Sequence, residues 1–177
     1  MEGFISSRHV EIDTMVETLL LAVSKRDEDR RAELAETAAG VLGADGRVEV
    51  LHAFDEERYG ERRAQLNVDR YSETTADDIA RRNTVAADLA NRLQERDIEV
   101  AIRGAVGDAA DAILRAVDDV DADMVVVGGR DRSQTGKFLF GSTAQDVLLG
   151  APVPVTFVKA RDDARTPVEA YTGRQRP

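Results

Sequence analysis

Short apolar runs alternate along the chain with longer stretches in which apolar residues recur every third or fourth position, and each pattern predicts its own element. The run TLLLAV, Thr18 to Val23, predicts a strand buried on both faces. Behind it, KRDEDRRAELAETAAGVL predicts a helix on which Leu34, Ala38, Val41 and Leu42 share one face. GADG supplies a stop, and RVEVLHAF predicts a second strand. Residues 55–75 carry many charges and no clean period, so a loop is expected there. A helix follows in ADDIARRNTVAADLANRLQER, apolar at Ile79, Val85, Leu89 and Leu93. The pattern then repeats as strand IEVAIRG, helix DAADAILRAVDDV, strand ADMVVVGG, helix STAQDVLLG and strand VPVTFVK.

Strands that alternate with helices are joined by right-handed crossovers, because only that connection packs each helix back on the sheet. The expected fold is α/β: a three-layer α/β/α sandwich around an open, five-stranded parallel sheet. One domain is expected over residues 16–159, with an extension at 1–15 and a mobile tail at 160–177, since neither end carries a core-forming run. In such a sheet, ligands bind beyond the carboxyl ends of the strands. The loops to examine therefore follow Val23, Phe54, Gly104 and Gly128.

Composition narrows the chemistry. With 34 Asp and Glu against 24 Lys and Arg, the formal net charge is -10, which repels nucleic-acid phosphates, so DNA and RNA are not expected partners. Lysine occurs only at Lys25, Lys137 and Lys159; this acidic, lysine-poor composition fits a salt-loving organism and fits equally an ordinary protein from a GC-rich genome. Every apolar run is shorter than the roughly 20 residues of a membrane span. The N-terminal MEGFISSRHVEIDTMVE lacks the basic start and long apolar middle of a secretory signal, so a cytoplasmic protein that does not cross a membrane is expected. Cysteine is absent, which excludes disulfides, thiolate zinc sites and cysteine nucleophiles. His52 reads as a core or edge histidine, because His9 is the only other one and no carboxylates cluster at ligand spacing; neither a metal site nor a catalytic residue is expected. Asp108, Asp121 and Asp123 read as cap and turn residues.

The loop after Gly128, GGRDRSQTGKFLFGSTAQ, holds glycines, hydroxyls and basic side chains ahead of a helix, the ingredients of a phosphate cradle. It is not a Walker loop: that motif places four residues between its first glycine and Gly-Lys and then needs Ser or Thr, whereas six residues separate Gly129 from Gly136 and Phe138 follows Lys137. Nor is it a dinucleotide fingerprint, since the first strand leads into SKRDED without glycine. The helix expected from Ser142 is the better candidate: Gly141 admits a close ligand, and the free amides of a first helical turn hold anions. Ser142 and Gln145 also match a capping box, which starts a helix with no ligand at all.

The order of elements, with LHAF, GAVGDAADAIL, DADMVVVGG and the spacing Gly128, two residues, Asp131, nine residues, Gly141-Ser142, resembles the universal stress protein family over residues 16 to 159. The resemblance implies an adenine nucleotide alpha-hydrolase-like fold and a nucleotide site on these loops. It also implies a cytoplasmic homodimer formed through the last strand, Pro152 to Lys159, serving an unknown protein partner in a stress response. An exposed apolar edge strand favours such pairing on physical grounds.

Two departures bear on function. Asp131 stands where the family has its second glycine, placing a carboxylate where a phosphate would approach bare backbone. Ser24 stands where ATP-binding members carry an Asp after the first strand, with Asp27 a candidate replacement three residues on. Arg130, Arg132 and Lys137 could pair with phosphates or with Asp131 itself. The nucleotide and phosphate candidates are Val23, Ser24, Gly128, Arg130, Asp131, Gly141, Ser142 and Thr143. Two readings follow: a dimeric stress-response module with weak or altered nucleotide or anion binding and no dedicated turnover, or a nucleotide-regulated switch that binds ATP with magnesium and hydrolyses it slowly.

Overall fold

The computed structural model describes residues 16–66, 68, 73–129 and 141–159. The stretches expected to form the extension, the tail and the basic loop, including Arg130, Asp131, Arg132 and Lys137, lie outside the described residues.

Five parallel strands form one sheet: β1 (Val16–Val23), β2 (Leu42–Phe54), β3 (Glu99–Val106), β4 (Met124–Gly128) and β5 (Val155–Val158), in the order β3-β2-β1-β4-β5. The helices are α1 (Arg31–Val41), α2 (Glu56–Gln65), α3 (Ala76–Ala80), α4 (Thr84–Gln94), α5 (Ala109–Asp119) and α6 (Ser142–Gly150). Alternation along β1 builds the three layers. Leu19, Leu21 and Val23 face a cluster with Leu34 and Ala38 of α1 and Leu89 and Leu93 of α4. Leu20 and Ala22 face the opposite cluster, with Ile113 and Val117 of α5 and Val147 of α6. Full burial of each leucine contributes about 1.5–3 kcal/mol, and Leu19, Leu20 and Leu21 are all 0% exposed. This is the α/β/α sandwich that the alternation predicts.

Several boundaries differ from expectation. The segment Lys25–Arg30 is 3-10 rather than α-helical, so α1 starts only at Arg31. The helix ends at Val41 as GADG predicts, yet β2 begins at once: Val16 pairs with Leu42 and Thr18 with Arg47, a register jump that takes up the extra residues. A side chain at Gly46 would collide with Leu42 and the Val16 carbonyl, so the glycine serves that irregularity. Part of the loop expected at 55–75 is helix α2, which buries no residue and so carries no apolar stripe; the Asp55 carboxylate starts it by accepting from Arg58 N at 2.8 Å. The single helix expected from residue 76 is two, broken where Asn83 caps α4. β3 continues past Gly104 to Val106, pairing Phe54 with Val106.

The cap and turn aspartates stand as expected. Asp108 starts α5 by accepting from Ala110 N and Asp111 N. Asp123 accepts from Glu17 N and Thr18 N, joining the start of β1 to that of β4, and Asp121 adopts a positive φ of 51° in the same turn. Among the described residues no helix is long and apolar enough to cross a membrane.

Candidate functional site

From β1 the chain moves through α1 to β2 on one side, and from β4 through α6 to β5 on the other. These connections diverge between neighbouring strands, which leaves a crevice at the carboxyl ends of β1 and β4. Val23 and Ser24 form one wall, Gly128 and Gly129 the other, and the Gly129 amide is held by the Val158 carbonyl at 2.7 Å. α6 begins on the same edge of the sheet.

Ser24 is the cap of the 3-10 segment. Its amide and hydroxyl both donate to Asp27 Oδ2, at 2.7 and 2.8 Å, while its Oγ accepts from Arg26 N at 3.2 Å. The other carboxylate oxygen faces Arg30 Nε at 3.5 Å, and Arg30 Nη1 donates to the Val158 carbonyl at 3.5 Å. Both members of this pair are buried, Asp27 at 5% and Arg30 at 3% exposure. A carboxylate this deep is retained because two donors and a cation compensate its lost hydration.

The pair lies over the end of β4. A side chain at Gly128 would fall on Asp27 Oδ1 and meet Arg30 Cδ at 3.3 Å. Gly128 is thus glycine partly because the chain's own carboxylate rests against it. Asp27 is committed to Ser24 and Arg30, and does not stand free as a replacement for the family's strand-end aspartate.

On α6, Gly141 is the N-cap, with φ -68° and ψ 156°, and makes no side-chain cap hydrogen bond. The capping box expected of Ser142 is therefore absent. Ser142 already sits inside the helix as its first residue, and the capping geometry belongs to the extended residue before it. Ser142 and Thr143 are exposed. The first-turn amides of such a helix end have no intrahelical partner, and the two hydroxyls stand beside them. The structure brings Val23, Ser24 and Gly128 together at one crevice and sets Gly141, Ser142 and Thr143 at the start of the helix that follows β4.

His52, across from Val23 in β2, is the buried strand histidine that the sequence predicts. It is 8% exposed, its Nδ1 donates to the Val23 carbonyl at 3.1 Å, and its Nε2 faces Asn83 Nδ2 at 3.4 Å. Asn83 Oδ1 accepts from Val85 N and Ala86 N, so the amide nitrogen is turned to the ring and Nε2 is the acceptor. Burial pushes the His52 pKa below its ordinary value; Arg62 and Arg58 act the same way, while the Val23 hydrogen bond and Asp27 oppose it. The asparagine ahead of TVAADL is a legible cap signal, but nothing in the sequence joins it to His52.

Among the described residues no group of three or more His, Asp or Glu is arranged to hold a metal ion. The universal stress protein family model matches residues 15–159. This chain belongs to the universal stress protein family. Over 73 residues it is 44% identical to a universal stress protein of Mycolicibacterium smegmatis, a match covering 41% of this chain and 56% of that relative. The universal stress protein of Archaeoglobus fulgidus superposes with a TM-score of 0.56 at 28% identity, covering 81% of this chain and 98% of that one. A universal stress protein from the same organism in complex with dAMP superposes at 0.52 with 24% identity, again covering 81% and 98%. The fold is similar to that of the first of these solved family members.

Proposed function

We propose that this universal stress protein is a dimeric stress-response module that binds an adenine nucleotide or similar anion weakly at the β1–β4 crevice, without dedicated turnover. The observation that carries this reading is the buried Asp27 carboxylate, backed by Arg30, resting on Gly128 where the strand connections diverge. A ligand there meets a surface already filled by the chain's own Asp27–Arg30 pair. Val23, Ser24, Gly128, Gly141, Ser142 and Thr143 would contact the ligand, with Arg130 and Asp131 contributing from the intervening segment. The uncapped amides of α6 support an anion, and the dAMP held by the Archaeoglobus relative supports a nucleotide. Magnesium would enter only with a triphosphate. β5 is an edge strand of the sheet, which supports pairing of two copies through Pro152 to Lys159.

Calorimetric titration with AMP, ATP and ATP with magnesium tests this. Dissociation constants weaker than about 100 micromolar are expected. Micromolar ATP binding would instead establish the nucleotide-regulated switch with slow hydrolysis. No heat up to millimolar concentrations would remove nucleotide from the function. Asp131→Gly is expected to tighten binding, since it removes the carboxylate from the position of the family's second glycine; unchanged affinity would clear Asp131 of that role.

A further inference from the structure

A second pocket opens beside the crevice, under α2, with a cavity of about 70 Å3. Its floor is apolar: Phe54 and Ile79, at 4% and 2% exposure, with Leu66 packed against them. Its rim is cationic and amidic, formed by Arg62, Arg82, Gln65 and Asn83, and among the described residues no acidic one lines it. In a chain of net charge -10, such a local excess of positive charge stands out.

Three acids on neighbouring turns are engaged elsewhere. Asp55 pairs with Arg58, Asp78 with Arg81 and Thr75, and Asp77 accepts from Gly104 N. Among the described residues Arg62 reaches only the neutral Gln65 Oε1, at 3.1 Å, and Arg82 meets no carboxylate. Asn83 spends its oxygen on the α4 cap and one amide hydrogen on His52, which leaves its second amide hydrogen for a ligand. The field is felt nearby, since Arg62 and Arg58 both disfavour the charged form of His52.

We propose that this pocket binds a short aliphatic carboxylate, its head held by Arg62, Arg82 and the Asn83 amide and its tail lying on Phe54, Leu66 and Ile79. A guanidinium pair matches a carboxylate in charge and shape. The apolar floor favours an organic anion over a fully hydrated inorganic one, and the small volume limits the tail to a few carbons. The assignment does not depend on nucleotide binding at the crevice.

The test is an NMR titration of the full-length protein with butyrate at constant ionic strength, followed at the Asn83 side-chain amide, Arg82 Nε and the Ile79 methyls. Saturable shifts at these three groups are expected. The double variant Arg62→Gln/Arg82→Gln, both of whose sites are exposed, should keep its fold and bind about ten-fold more weakly. Absence of saturable shifts, or unchanged half-saturation in the double variant, overturns the site. An equal response to inorganic phosphate overturns the carboxylate assignment.

Discussion

Asp27 and Gly128 are in direct contact across the end of the central strands, with Asp27 Oδ1 occupying the space that a side chain at 128 would need. The contact turns a glycine that reads as a ligand-facing position into a seat for the chain's own carboxylate. It also ties the 3-10 segment after β1 to β4 and, through Arg30, to the Val158 carbonyl of β5.

Gly128→Ala should therefore destabilise the fold, by about 3 kcal/mol, as an overpacked core position does. The cause is specific, so a second change, Asp27→Ala, should recover part of the loss. Denaturant unfolding of the two single variants and the double variant gives the coupling directly. Additive losses would show that the β4 backbone, and not Asp27, sets the requirement for glycine.

His52 makes stability depend on pH with a definite sign. Its folded pKa is depressed by burial below the ordinary 6.5, so above 6.5 both states are neutral and the full stability is present. As the pH falls below 6.5 the unfolded chain takes up the proton first, and stability is lost until the folded pKa is also passed. The slope cannot exceed about 1.4 kcal/mol per pH unit, the value for one proton. His52→Gln should lack this slope between pH 6.5 and 5; thermal melts of both proteins across that range check it, and parallel profiles would refute it.

Asn83 caps α4 and holds the His52 ring, so Asn83→Ala loses two contacts at once. A cost of about 1–2 kcal/mol is expected from the cap alone. Hydrogen exchange should place the added opening at Val85 and Ala86, the two amides released, and not across the sheet.

The sheet was legible because its central strands obey period two on two apolar faces: TLLLAV and MVVVG admit hardly any other reading. Helix α2 was not, because a helix that buries nothing leaves no stripe to read. Of the cradle, the sequence carries the nine-residue span to Gly141 and Ser142, while residues 130–140 lie outside the described ones. The Ser142 capping box was misread because Ser-x-x-Gln cannot say whether the serine is the extended cap residue or the first helical one. Asp27 resting on Gly128 was out of reach of the sequence, as was Arg30 reaching Val158, a contact between residues 128 positions apart.

The charge of -10 predicts salt-dependent stability. Screening of self-repulsion should raise the thermal midpoint between low ionic strength and about 0.15 M, where the Debye length is near 8 Å. A midpoint that keeps rising into molar potassium chloride would assign the composition to a salt-loving habitat. A plateau would assign it to an acidic protein of ordinary habitat.

The central claim, that the chain's own carboxylate at the β1–β4 crevice keeps nucleotide binding weak, is tested most directly by calorimetry of AMP and adenosine against the wild type and Asp27→Asn. Removing the charge while keeping the side chain's size should tighten AMP binding by about ten-fold, the scale of one lost charge repulsion in a partly buried site, and leave adenosine unchanged. AMP binding that is equal or weaker in Asp27→Asn, with the fold intact by circular dichroism, would contradict it.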